Sequence, residues 1–220
     1  MGTKKNIVLI VMLLITMLAS VSMASAAITG IDQKGSFEFG IGTPTGGNSS
    51  DYYGSTWVNL RYSRALVNND SSKQSVSLGV QAGSKSREFY VSGANSSPTA
   101  SFTARLFSLS YDYTKKTNSP LSYGAGLGVY LVNTEATYDA EDGYYWTSNG
   151  EQTISLDKTG MAFAPKFFAA YQIKERFGVE LSYTLINTKL SGNTSGRNYL
   201  PSVPDVNLGG IISLSANMKL

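Results

Sequence analysis

The sequence predicts an all-β chain: an eight-stranded antiparallel up-and-down transmembrane β-barrel, preceded by a cleaved signal peptide. Three observations lead there. Apolar residues recur at every second position in eight separate segments, the period of a strand with one dry and one wet face. The connections between segments alternate long and short, which puts long loops at one end of the sheet and tight turns at the other. The first 26 residues have the make-up of a secretory leader.

The leader carries Lys4 and Lys5, an apolar run from Ile7 to Leu18, and the small-x-small site Ala24-Ser25-Ala26. The apolar run is too short for a helix that must cross a bilayer with about 20 residues. The expected division is therefore a signal peptide at 1–26 and one barrel domain at 27–220. No Cys follows the cleavage site, so no lipoprotein anchor is expected. Of the 18 basic and 15 acidic residues the leader holds only Lys4 and Lys5, so the mature chain is near neutral and has no nucleic-acid footprint.

The first segment, "SFEFGIG", sets Phe37, Phe39 and Ile41 against Ser36, Glu38 and Gly40. The second, "TWVNLRYSRAL", sets Val58, Leu60 and Tyr62 against Asn59, Arg61 and Ser63. The third, "QSVSLGVQAG", alternates Val76, Leu78 and Val80 with Ser75, Ser77 and Gly79. The fourth, from about Phe102 to Tyr113, alternates Leu109, Tyr111 and Tyr113 with Ser108, Ser110 and Asp112. The fifth, "SYGAGLGVYL", is the most regular, with Gly124, Gly126, Gly128 and Tyr130 on one side. The sixth lies within "GMAFAPKFFAAYQI", the seventh is "FGVELSYTLINTKL", and the eighth is the terminal "LGGIISLSANMKL". A strand that runs to the last residue must be held by neighbours, because loose ends fray; closure against the first strand supplies one.

Periodicity alone does not say which face is dry. Small groups (Gly, Ser, Thr, Ala, Asn) dominate the polar face, where a soluble barrel would carry many Lys and Glu. A narrow eight-strand lumen is just wide enough for such side chains. Tyr62, Tyr111, Tyr113, Tyr123, Tyr171 and Phe177 fall by the short turns, and Trp57, Phe102 and Tyr130 toward the long loops, the placing of two interfacial girdles. Tyr130 points inward by parity, the facing of Trp57 is open, and the others are expected outside. The polar face therefore looks inward. Its long charges, Glu38, Arg61, Lys166 and Glu180, are expected to meet as a lumen cluster that closes the barrel to ions, or else to form separate water-screened pairs. Pro165 is expected at a bulge or at the membrane edge of the sixth strand.

With this strand pattern, the strand–turn–strand stretch "YQIKERFGVELSYTLI" and the alternating C-terminal strand, the chain resembles the small outer-membrane β-barrel proteins of diderm bacteria, the OmpA-type transmembrane domain and the OmpX-like proteins. The resemblance implies the bacterial outer membrane as location, outer-membrane lipid and lipopolysaccharide as surroundings, and assembly machinery that reads the C-terminal strand. Members usually end in Phe; this chain ends in Leu220. A monomer is expected.

Enzymes of that family pair a His with Ser or Asp. This chain has neither His nor Cys, so no catalytic residue, cofactor or metal site is expected. Asp139, Glu141 and Asp142 in "YDAEDGYYW" read as a solvated acidic loop, or as weak divalent-cation contacts. The leading function is structural or surface-interacting, with the long loops, including Tyr52–Tyr53 and Tyr144–Trp146, turned outward toward a surface partner. A small passive channel for ions or apolar solutes is the alternative, and a soluble periplasmic ligand-binding barrel the third reading.

Overall fold

The computed structural model describes residues 35–88, 99–139, 153–190 and 206–220. The expected leader, Glu141, Asp142 and Tyr144–Trp146 lie outside them. The described residues form a closed barrel of eight antiparallel strands. In chain order these are β1 (Gly35–Thr45), β2 (Trp57–Asn68), β3 (Ser72–Glu88), β4 (Thr99–Lys116), β5 (Leu121–Asp139), β6 (Thr153–Lys174), β7 (Phe177–Thr184) and β10 (Gly210–Lys219). A two-stranded extension, β8 (Thr188–Leu190) with β9 (Val206–Leu208), follows β7, and a short helix, α1 (Ser49–Tyr53), follows β1. The last strand is held on both sides: Ala216 pairs with Phe39 of β1 and with Val179 of β7.

The pairings climb around the barrel. One circuit begins at Pro44 at the loop end of β1 and passes through Ile211, Thr184, Lys166, Gly126, Asp112 and Ser75. It comes back at Ala65, beside the opposite end of β1. Strands tilted in this way are the condition for closing a sheet.

An apolar belt surrounds the barrel. Phe39, Leu60, Leu127, Phe163, Phe167, Leu181 and Leu214 all lie on its outer face, between 48% and 69% exposed. Along β5 the belt runs from Leu121 to Leu131; eleven residues tilted at about 40° span roughly 25 Å, the height of a lipid-facing band. No ordinary water-soluble surface carries so continuous an apolar patch. Ser63, Ser77, Ser110, Ser182, Ser213 and Ser215 are buried on the inner face.

Pro165 pairs with Leu127 on β5, while on the other side the β6–β7 ladder ends one residue later, at Lys166 opposite Thr184. The Pro165 carbonyl still accepts the Leu185 N–H at 3.0 Å. Pro165 is thus neither at a bulge nor at the membrane edge, as the sequence suggested, but opposite mid-belt Leu127 where the β6–β7 ladder ends and no donor is required of it.

Two further expectations need correction. The strands β3 to β6 run well beyond the belt, to Glu88, from Thr99, to Asp139 and from Thr153. Residues 84–88, 99–101, 132–139 and 153–158, expected in the long loops, are therefore sheet. Phe102 is inside, 1% exposed, and not in an outer aromatic girdle; Trp57, whose facing the sequence left open, is inside as well at 1%. Both corrections have one cause. Beyond the belt the outer face meets water, so the alternation inverts. In β4 the inward residues change from Ser108, Ser110 and Asp112 to Ala100, Phe102, Ala104 and Leu106, while Ser101, Thr103 and Arg105 turn outward. The phase switches at the adjacent apolar pair Leu106–Phe107. On the wet outer face polar groups pair across strands, Ser86 with Ser101 at 2.9 Å and Arg105 with Glu135 at 3.2 Å. The barrel has polar contents at membrane level and an apolar core above it.

Candidate functional site

Two layers of side chains cross the lumen. The lower is ionic and forms where inward parity on β1, β2, β4, β6 and β7 coincides. Glu38 faces Arg61 directly across β1 and β2. The Arg61 guanidinium donates to Glu38 and, across the barrel, to both carboxylate oxygens of Glu180 at 3.1 and 3.0 Å. Lys166 donates to Glu180 Oε1 at 2.7 Å. The structure brings Glu38, Arg61, Lys166 and Glu180 together in one connected network. Their side chains are no more than 13% exposed. Lys166 Nζ also stands 4.7 Å above the Phe168 ring, a cation–π contact.

Asp112 is a fifth member that the sequence reading did not single out. Its Oδ2 lies 3.8 Å from Arg61 and accepts from Ser77 at 2.8 Å and Ser110 at 3.4 Å. Its position opposite Ser75 and on the parity of Ser108 and Ser110 placed it in the lumen; a search of the polar face for every charge finds it. Asn217 donates to Glu38 at 3.2 Å and Asn59 to Ser215 at 3.0 Å, tying β10 into the same layer. Space for this layer comes from glycine. A Cβ on Gly126 would fall 2.1 Å from Asp112 Oδ1. Arginine suits the centre, because its planar fork can serve two carboxylates at once.

The upper layer is apolar. Trp57, Phe102, Leu106, Tyr130, Val132, Tyr138, Ile186, Leu208 and Ile211 form one buried cluster at the loop end. Helix α1 sits on it. Tyr53 is 5% exposed, and Tyr52 meets Phe102 edge-on at 5.3 Å with Arg87 5.2 Å over its own ring. The Trp57 indole donates to the Gly54 carbonyl at 3.2 Å, and its ring fills the place a side chain on Gly83 would take, 2.2 Å from such a Cβ. Burial pushes the Tyr138 hydroxyl up to about 12 and raises that of Tyr53. The pair Tyr52–Tyr53, expected as an outward binding element, instead caps the barrel.

Below the ionic layer, at the turn end, opens a cavity of ≈ 360 Å³ lined by Ser36, Arg61, Lys73, Asp112, Lys116 and Lys219 among others. Ser36 Oγ, Arg61 Nε and Asp112 Oδ1 have no protein hydrogen-bond partner, and all three residues line this space, which is large enough for water. On the other side of the ionic layer a small space of ≈ 30 Å³ lies between Asn59, Gln81, Tyr130 and Thr184. Glu38 and Arg61 line both this space and the turn-end vestibule. Among the described residues no group of His, Cys, Asp or Glu is arranged to hold a metal ion.

No protein-family model matches the chain, and no curated protein matches it by sequence. Similar solved structures exist. A major outer membrane protein from Thermus thermophilus is 14% identical with a TM-score of 0.51, over 84% of this chain and 99% of that one. Ail, the attachment invasion locus protein of Yersinia pestis, is 14% identical with a TM-score of 0.48, over 86% and 100%. The N-terminal β-barrel domain of Pseudomonas aeruginosa OprF is 13% identical with a TM-score of 0.42, over 86% and 98%. At 14% identity the likeness to the Thermus thermophilus outer membrane protein is one of fold alone.

Proposed function

We propose that this eight-stranded barrel resides in a bacterial outer membrane with its lumen closed, and serves a structural or surface-interaction role rather than transport or catalysis. The observation that carries the reading is the reversal of polarity along the barrel. An apolar outer belt with a polar interior gives way, at the loop end, to a wet outer face around an apolar core. In hydrocarbon every backbone group must be paired internally, and a closed barrel satisfies that demand. A soluble ligand-binding barrel would hold apolar residues inside along its whole length. The leader at 1–26 belongs to the proposal, as does assembly through the C-terminal strand. The surface that meets a partner is the loop end, excluding Tyr53, which is buried.

The channel reading has little room. A path from the turn-end vestibule would have to cross the Arg61 network and then the Trp57–Phe102–Tyr138 cluster. The purified mature chain, inserted in planar bilayers, is expected to give no single-channel steps and to keep its compact mobility on gels until heated. Regular steps with a fixed unit conductance would reject the closed lumen. Deleting residues 140–152 then tests the surface role. Binding of whole cells to host or neighbouring cells is expected to fall while the heat-dependent gel shift is retained; unchanged binding on deleting each long loop in turn would leave the structural role alone.

A further inference from the structure

The turn end of the barrel is strongly basic. Arg64, Lys73, Lys115, Lys116, Lys174, Arg176 and Lys219 lie there, against Asp70 and Glu175 among the described residues. The rest of the described barrel has no such one-signed cluster. Two of these bases have a particular geometry. Tyr62 and Arg64 share the outer face of β2, and Tyr113 and Lys115 share the outer face of β4. In each case the base stands two residues past an aromatic ring, toward the turns, or about 7 Å further along the strand. A girdle of rings marks the headgroup boundary of the belt, so the bases fall at the depth of the phosphates. Lys174 and Arg176 stand exposed at the tip of the β6–β7 turn, beside the outward rings of Tyr171 and Phe177. None of Arg64, Lys115, Lys174 and Arg176 takes part in an ion pair with a carboxylate among the described residues.

We infer that this basic rim binds anionic phospholipid headgroups on the turn side of the membrane. The inference rests on the membrane reading above. It goes further in assigning a lipid class, a side and the residues that select it. Charge complementarity carries it: bases next to a membrane attract anionic lipid at short range and lose that attraction as salt shortens the screening length. The rim is also continuous with the lipid-facing belt, so a headgroup there needs no new docking surface.

The test uses the mature chain folded into vesicles of phosphatidylcholine alone or mixed with phosphatidylglycerol. Folding into phosphatidylcholine, read from the heat-dependent gel shift, tests the barrel reading separately; failure there rejects the membrane location whatever the headgroup result. Association of fluorescent phosphatidylglycerol relative to phosphatidylcholine then reads the rim. The expected result is a preference of roughly fivefold or more at low salt, on the scale of one or more phosphate contacts. It is expected to fall toward unity in molar salt and in the variant Arg64→Gln/Lys115→Gln/Lys174→Gln/Arg176→Gln. The same preference in that variant, or none in the unaltered protein, overturns the inference. So does capture of the unaltered chain by isolated cell-wall polymer, lost in the variant, when vesicles show no headgroup preference.

Discussion

Arg61→Met is expected to destabilise the folded barrel by about 3–5 kcal/mol, the cost of leaving buried carboxylates without their counter-ion. Arg61 is the only cation that touches Glu38 and Asp112 in the described structure, and it shares Glu180 with Lys166. Side-chain exposure of 13% for Arg61 and 3–5% for the acids leaves little screening by water. The loss is read as a lowered urea midpoint in vesicles and a lower temperature for the gel shift. Arg61→Lys recovers only part, since one ammonium cannot keep both the Nη2 contacts to Glu38 and Glu180 and the Nη1 approach to Asp112. Arg61→Met/Glu38→Gln recovers most, because Glu180 keeps Lys166 and Asp112 keeps Ser77 and Ser110. A loss under about 1 kcal/mol for Arg61→Met would mean water-screened pairs instead of one network.

The second large effect is on the outer face. Leu127 is 60% exposed near the middle of the belt, opposite Tyr111 and Pro165 on the neighbouring strands. Leu127→Arg is expected to cost about 2–4 kcal/mol in a bilayer, the penalty for a cation at mid-depth on a lipid-facing strand. The same change at Arg105's level, where the outer face is already wet, is expected to cost almost nothing; Thr103→Arg is the matched control, paired directly with Glu135. Equal small effects at Leu127 and Thr103 would mean that both positions face water.

How much of this was legible in the sequence depends on where the two faces of a strand differ. In β1, β5 and β10 at membrane level, one face touches lipid and the other a crowded lumen, so Phe37, Phe39 and Ile41 or Ile212, Leu214 and Ala216 announce their side without ambiguity. Above the belt the signal reverses. Ala100, Phe102, Ala104 and Leu106 go inside by the same parity that placed Ser108 and Asp112 inside, yet the aromatic character of Phe102 suggested the outer face. The switch leaves a trace, two adjacent apolar residues at Leu106–Phe107 in β4 and again at Leu131–Val132 in β5. The role of α1 was not readable, because the packing of Tyr52 and Tyr53 depends on Phe102, Arg87 and Thr134, which are far away in sequence. Four of the five charges in the ionic layer were visible as inward long side chains; their meeting at Arg61 depends on how the strands are staggered around the barrel, and alternation within one strand carries no such information.

The most direct measurement uses the absence of cysteine from the chain. Single Cys residues at 125 to 131 on β5, each carrying a nitroxide, are read in bilayers for collision with dissolved oxygen and with a water-soluble nickel complex. The account predicts oxygen contact that rises at 125, 127, 129 and 131 and falls at 126, 128 and 130, with nickel excluded from the odd set. Odd positions that collide with nickel, or that are shielded from both probes while the chain stays monomeric in plain buffer, would contradict it.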